Sequence, residues 1–175
     1  RVMKSHIRVG TFEYASYFGS SEDLKKITSY SIKRLYPEIS KCDNLALALL
    51  NIVMQKQIDL VVNWMRVGFI HGVMNTDNTS ISGESFDYGP CAFINTYDPK
   101  TVYSSIDHNG RYAFGNQPKI IKWNILKLAE ALLPIIHKNK DNSIQLAQSV
   151  INNFDKIWER KYYGMMLKKI GCSSH

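Results

Sequence analysis

The sequence predicts a mainly helical fold with an insert of loops and short strands. Apolar residues recur at the spacing of amphipathic helices in four separate stretches. Residues 71–118 interrupt this pattern, because glycine, proline, asparagine and aspartate are frequent there. The chain has 175 residues, of which 45% are hydrophobic and 21% are charged, a composition typical of a folded domain. We therefore expect one domain over residues 1–175.

The first two predicted helices precede the insert. A helix over residues 22–35 follows a capping-box pattern that begins at Ser20. A second helix over residues 45–70 can be capped by Asp43 or Asn44. Its apolar residues lie on nearly every face, so we expect this helix at the centre of the fold.

The other two predicted helices follow the insert. One begins at Pro118, since proline is tolerated in the first turn, and ends near Pro134. The last begins at a Ser143 cap and carries an apolar stripe as far as Met165. Near the start of the chain, residues 7–12 fit either a strand or the beginning of a helix.

The insert is too long for an ordinary connection between helices. Segments of this length without a helix are usually functional, so we expect the chemistry of the protein to lie here. Short strand candidates within it are residues 80–81, 92–94 and 102–103.

Charge and composition narrow the classes of partner. The net charge is +7, from 22 basic and 15 acidic residues, and this balance suits polyanions, including nucleotides. No RNP, zinc-finger or basic-zipper pattern occurs, so a nucleic-acid partner is not expected. The longest apolar run, residues 45–54, is shorter than the ~20 residues of a membrane span, so no membrane partner is expected either. The cysteines are odd in number and widely spaced, which favours free thiols: Cys42, Cys91 and Cys172.

A polar loop with candidate metal ligands follows the central helix. It contains Asp77 and Asn78, and Asp87 follows in an Asp-Tyr-Gly sequence that has the form of the kinase D-F-G. Kinases hold a metal ion against ATP with an Asn and an Asp on successive loops, and Mg²⁺ prefers such oxygen ligands. The pattern predicts a metal site at Asn78 and Asp87. Taken alone, Asp77 and Asn78 also fit a simple turn.

The same loop departs from the kinase pattern at one position. In H-G-D-x-x-x-x-N, the catalytic loop of aminoglycoside-kinase-like enzymes, His71 and Asn78 match, but Val73 replaces the catalytic aspartate. A valine cannot accept a proton from a hydroxyl group, so Asp77 is the carboxylate in this loop that can act as the base. We expect His71 to orient the loop backbone rather than to bind a metal.

Longer motifs make a family resemblance specific. The segments H-G-V-M-N-T-D-N, D-Y-G-P, D-H-N-G-R-Y-A-F-G-N-Q-P and W-N-I-L-K-L-A-E-A-L resemble the SelO/YdiU family, the selenoprotein O-like pseudokinases. The resemblance extends from Arg1 through at least Leu133. It implies a protein-kinase-like fold, of which this chain would form a C-lobe. It also implies a protein adenylyltransferase, which transfers AMP from ATP to Ser, Thr or Tyr hydroxyls of protein substrates with Mg²⁺ or Mn²⁺.

The resemblance also implies roles for individual residues. Asp77 matches the proton acceptor of the family, and Asn78 and Asp87 match its metal ligands, with Asp87 also near the nucleotide. Arg1 and Arg8 match two nucleotide-contacting arginines in the motif R-V-x-x-S-H-I-R-x-G. Arginine suits this role because its planar guanidinium group matches the geometry of phosphate oxygens.

Some expected parts of the family pattern are missing. No G-x-G-x-x-G loop and no V-A-I-K-like strand precede residue 70, so we expect the N-terminal nucleotide lobe to be absent and catalysis by this chain alone to be weak or absent. Two alternatives remain: a truncated, non-catalytic pseudokinase that acts as a binding module, and an ordinary ATP-dependent phosphotransferase. The expected compartment is the cytoplasm for a bacterial protein and the mitochondrion for a eukaryotic one.

Overall fold

The computed structural model describes residues 2–172, which form six α-helices and one two-stranded antiparallel sheet. The predicted mainly helical fold with short strands is therefore confirmed. The helices are α1 (Val9–Phe18), α2 (Ser21–Leu35), α3 (Leu45–Val67), α4 (Gln117–Ile136), α5 (Lys140–Ile151) and α6 (Phe154–Lys169). The strands are β1 (Phe69–Ile70) and β2 (Ala92–Phe93), and single 3-10 turns lie at Pro37–Ile39, Thr76–Asn78 and Phe114–Asn116.

Helix α3 lies at the centre of the fold, as its apolar faces predict. It packs against α2, α4, α5 and α6, since apolar residues on every side need a partner. Its cap is Asn44, whose side-chain oxygen accepts from the Leu47 N–H at 3.1 Å and whose Nδ2 donates to the Ile136 carbonyl at 2.9 Å. Its fully buried residues, with 0% exposure, are Leu49, Leu50, Val53, Met54, Ile58 and Val61.

By length and composition, α3 could also cross a membrane. Among residues 2–172 it is the one helix that meets this criterion, and 50% of its most apolar window is buried inside the fold. The apolar stretch is longer than residues 45–54 suggest, because few charged residues follow before the helix ends at Val67. A core helix of a folded domain has the same composition.

The end of α3 differs from the sequence prediction. The helix was expected to reach residue 70, but Gly68 adopts a left-handed conformation with φ 74° and ends it. Residues 69–70 instead form β1, in which Phe69 pairs with Phe93 and Ile70 with Ala92. The strand predicted at 92–94 is thus confirmed as β2.

The other two strand candidates have different outcomes. Within residues 80–81, Ser80 forms an isolated antiparallel bridge with Arg8, and the Ile81 N–H donates to the Ile7 carbonyl at 3.1 Å. The prediction at residues 102–103 was wrong, since both lie in a loop. The insert is therefore held by bridges to distant segments more than by a sheet of its own.

Helix α1 includes most of residues 7–12, for which the sequence fits either a strand or the beginning of a helix. It buries Val9 and Phe12 but also exposes three aromatic side chains, Tyr14 (68%), Tyr17 (82%) and Phe18 (78%). Apolar residues on both faces obscure the stripe that identifies an amphipathic helix. The structure resolves the ambiguity in favour of a helix that begins at Val9.

The helices after the insert also differ from the sequence prediction. Helix α4 continues past Pro134, which lies in its last turn, and ends at Ile136. The single helix predicted from Ser143 to Met165 is two helices, because the chain turns between α5 and α6. The Ser143 hydroxyl is not a cap: it donates to the Leu133 carbonyl at 2.6 Å. The cap of α5 is Asn139, which accepts from the Asn142 N–H at 2.9 Å.

Candidate functional site

The predicted loop residues lie just after β1. Thr76–Asn78 forms a 3-10 turn, in which the Asn78 N–H donates to the Asn75 carbonyl at 3.0 Å. The Asp77 side chain is exposed and Asn78 is half-buried. The Nδ2 atom of Asn78 donates to the Val73 carbonyl at 3.1 Å, so the lone pairs that a cation could use are those of Oδ1. The segment is a turn, as its composition favours. This turn contains two of the candidate site residues, Asp77 and Asn78.

The first turn of α1 packs against this 3-10 turn. The Val9 N–H donates to the Thr79 carbonyl at 2.9 Å, and Arg8 bridges Ser80. Gly10 lies directly against Asp77: a Cβ atom added to Gly10 would overlap Oδ1 of Asp77. Arg8 and Asp77 are far apart in sequence, but these contacts bring their chain segments together.

Arg8 also reaches the segment that carries Asp87. Its guanidinium carbon lies 4.9 Å from the centre of the Phe86 ring, a cation–π distance. Asp87 itself is half-buried and has φ 61°, a left-handed conformation that is uncommon for residues other than glycine. The Gly89 N–H donates to the Asp87 carbonyl at 2.9 Å and closes a tight turn. The α1 start therefore contacts the neighbours of both Asp77 and Asp87, whereas Arg1 lies outside the described residues.

His71 holds the two loops together, as expected of a residue that orients the backbone. It is fully buried, and its Nε2 donates to the Phe86 carbonyl at 2.8 Å, immediately before Asp87. Nδ1 is then the unprotonated nitrogen, and it has no hydrogen-bond partner within residues 2–172. Burial lowers the pKa of His71, against the opposing effects of the Phe86 bond and the Asp87 charge. The neutral imidazole is the form that fits this position.

Two amide side chains on α4 form hydrogen bonds with β1 and with the loop that follows it. Gln117 accepts from the His71 N–H at 3.0 Å and donates to the Phe69 carbonyl at 3.0 Å. Asn124 donates to the Met74 carbonyl at 2.8 Å and to the Thr79 hydroxyl at 2.9 Å. Both are 0% exposed. The sequence reasoning missed these residues, although a polar residue on an otherwise apolar helix face is a usable signal, because such a group needs a buried partner.

The donor set resembles that of a nucleotide-bound cation more than that of a resident metal centre. Within residues 2–172, no group of three or more His, Cys, Asp or Glu side chains could hold a metal ion. Magnesium in nucleotide sites usually takes one or two protein ligands and completes its shell with phosphate oxygens and water. An amide oxygen at Asn78 and a carboxylate at Asp87 are ligands of this class.

Comparison with known proteins gives the family of the chain. The whole chain, residues 1–175, matches the family described as protein adenylyltransferase SelO. A protein nucleotidyltransferase YdiU of Pelagibacter ubique is 54% identical over 171 residues, which cover 98% of this chain and 35% of the relative. The protein of that name from Bacillus cereus strain B4264 is 52% identical over 175 residues, or 100% of this chain and 36% of the relative. The chain thus spans about a third of the length of the curated relatives it matches. It belongs to the SelO family.

Proposed function

We propose that the protein acts in AMP transfer from ATP to Ser, Thr or Tyr hydroxyls of protein substrates. One observation carries the proposal: residues 8–10, at the start of α1, lie against Asp77 and against Phe86, the residue before Asp87. The start of α1 thereby reaches the segment of the candidate base and the segment of one candidate metal ligand, and it carries Arg8, a candidate phosphate contact. The relatives are named protein nucleotidyltransferases, which supports the same reaction class for this chain.

Asn78 and Asp87 would hold the divalent cation, Mg²⁺ or Mn²⁺. The hydrogen bond from Asn78 Nδ2 to Val73 leaves Oδ1 as the coordinating atom, and the left-handed backbone at Asp87 sets where its carboxylate emerges. When bound with ATP, the cation would neutralise negative charge on the phosphate oxygens. His71 assists by fixing the carbonyl before Asp87.

Arg8, and Arg1 with it, would contact the phosphates. The Arg8 guanidinium carbon lies 4.9 Å from the centre of the Phe86 ring, and the planar group offers paired N–H donors to phosphate oxygens. In the proposed step, the substrate hydroxyl oxygen bonds to the α-phosphorus, and the bond from that phosphorus to the bridging oxygen breaks. Pyrophosphate leaves, and the hydroxyl proton moves to the exposed carboxylate of Asp77.

Val73 argues against the alternative that the protein is an ordinary ATP-dependent phosphotransferase. In the sequence match to the kinase loop, Val73 takes the position of the catalytic aspartate, and its side chain offers no proton acceptor. As part of the proposal, the chain forms the C-lobe of a kinase-like fold, and a nucleotide lobe completes the ATP site in the whole protein. The relatives come from bacteria, which favours the cytoplasm over the mitochondrion.

The test uses the complete gene product with ATP labelled on either the α- or the γ-phosphate. The acceptors are the protein itself and casein. We expect label to be transferred from the α-position, no transfer by Asp87→Ala, and a loss of about 10²- to 10⁴-fold for Asp77→Asn, which cannot accept the proton. Glu159→Gln, on the exposed face of α6, is the matched control and should retain the rate.

Three outcomes would contradict the proposal. Transfer of the γ-label would identify a phosphotransferase. Transfer of neither label by the wild type would favour the non-catalytic binding module. Full AMP transfer by Asp87→Ala would refute the metal assignment.

A further inference from the structure

We infer that Gly10 is a positioning residue that reserves the space occupied by the Asp77 carboxylate. A Cβ atom added to Gly10 would overlap Oδ1 of Asp77 and lie 3.3 Å from its Cγ. The nearest backbone atom, the Asp77 nitrogen, is at 3.5 Å, an ordinary contact. The steric overlap is therefore with the carboxylate itself. In the proposed function this carboxylate accepts the hydroxyl proton, so the catalytic part of this inference rests on that function.

The backbone of α1 does not itself require glycine at this position. Gly10 lies in the first turn of the helix, outside the left-handed region that excludes other residues. Glycine is disfavoured in helices relative to alanine, because it loses more conformational freedom on folding. Gly164 in α6 provides the contrast, since an added Cβ there has no neighbouring atom within 4 Å. The contact with Asp77 therefore distinguishes Gly10 from a glycine that merely occurs in a helix.

The first turn of α1 is anchored in the core, whereas the Asp77 side chain is exposed. The Val9 N–H donates to the Thr79 carbonyl at 2.9 Å, and the Arg8 N–H donates to the Thr11 hydroxyl at 3.1 Å. Val9 and Phe12 anchor the helix in the core with 0% exposure. Asp77 is exposed in a single 3-10 turn. A side chain at position 10 would consequently move the Asp77 carboxylate rather than the helix.

The first test measures AMP transfer by Gly10→Ala in the complete gene product. Because a displacement of about 1 Å can reduce catalysis about 100-fold, we expect kcat to fall by about that factor. The KM for ATP should stay within about twofold of the wild type, because Asp77 acts in the transition state and not in ATP binding. Gly164→Ala makes the same chemical change without a contact and should retain kcat. A normal kcat for Gly10→Ala would overturn the positioning role.

The second test is a double-mutant cycle on thermal stability, which requires no activity. Gly10→Ala should change Tm less favourably in the wild type, where the new methyl group meets the carboxylate, than in the Asp77→Ala variant. In the Asp77→Ala background the carboxylate is gone, so the same change should leave Tm unchanged or raise it. An equal change of Tm in both backgrounds would overturn the proposed contact. If the wild type transferred no AMP, the proposed function would be refuted. The stability cycle would still show whether position 10 contacts the Asp77 carboxylate.

Discussion

Replacement of the buried His71 by leucine is the sharpest test of how the site is held together. In the wild type, Nε2 donates to the Phe86 carbonyl at 2.8 Å, where water does not reach. Leucine leaves this carbonyl unpaired, which costs about 1–3 kcal/mol. It also removes Nδ1, a buried atom that has no partner within residues 2–172, and this offsets part of the loss.

We expect a net destabilisation of about 2 kcal/mol for His71→Leu, or a Tm lower by about 4–8 °C for a domain of this size. Thermal unfolding followed by circular dichroism measures this shift. The control is His108→Leu, the same change at an exposed histidine, which should alter Tm little. A Tm for His71→Leu equal to that of the control would refute the role of the Phe86 bond.

The pH dependence of the same variant provides a second measurement. Burial lowers the pKa of His71 below the ordinary histidine value of 6.5. Below that pH, the unfolded chain therefore binds a proton more readily than the folded chain does. The stability that neutral His71 contributes is complete above pH 6.5 and is lost as the pH falls towards the folded pKa. The Tm difference between wild type and His71→Leu should therefore shrink from about pH 8 to about pH 5. Because all other titrating groups are shared, parallel curves would show that His71 is not held neutral.

Two further substitutions test other supports of the insert. Gly72 has φ 85°, and an added Cβ would lie 2.7 Å from the Pro90 carbonyl oxygen, so Gly72→Ala should lower Tm more than Gly110→Ala, where φ is 65° but the nearest atoms are at 3.8 Å. Equal Tm values would argue against the close approach of Pro90. Tyr36→Phe removes a buried hydroxyl that donates to the Ile81 carbonyl at 2.5 Å, and we expect a loss of about 1–3 kcal/mol in denaturant unfolding. An unchanged unfolding midpoint would contradict that assignment.

The sequence predicts those features that depend on local pattern. Helix α3 is identifiable because apolar residues on all its faces indicate a central position. Asp77, Asn78 and Asp87 can be named as candidates because each lies in a short motif whose residue types suit metal and proton chemistry, and their roles stay predictions. The break between α5 and α6 escapes such reasoning, because Ser143 resembles a cap in sequence but its hydroxyl instead donates to the Leu133 carbonyl.

Contacts between distant segments account for most of what the sequence does not reveal. That Gly10 lies against Asp77 depends on how α1 docks on the insert, and no local spacing encodes this. The amide groups of Gln117 and Asn124 bind backbone atoms of β1 and the following loop, segments far from them in sequence. Single-chain pattern reasoning identifies the candidate chemical groups but not the residues that hold them in place.

The start of α1 has a mechanical consequence. The same helical turn touches the segment of Asp77 through Gly10 and the segment of Asp87 through Arg8 and Phe86. Both segments therefore share one support at the start of α1, against which the exposed Asp77 side chain can still move. Weaker docking of α1 would consequently disturb the surroundings of the candidate base Asp77 and of the candidate metal ligand Asp87 together.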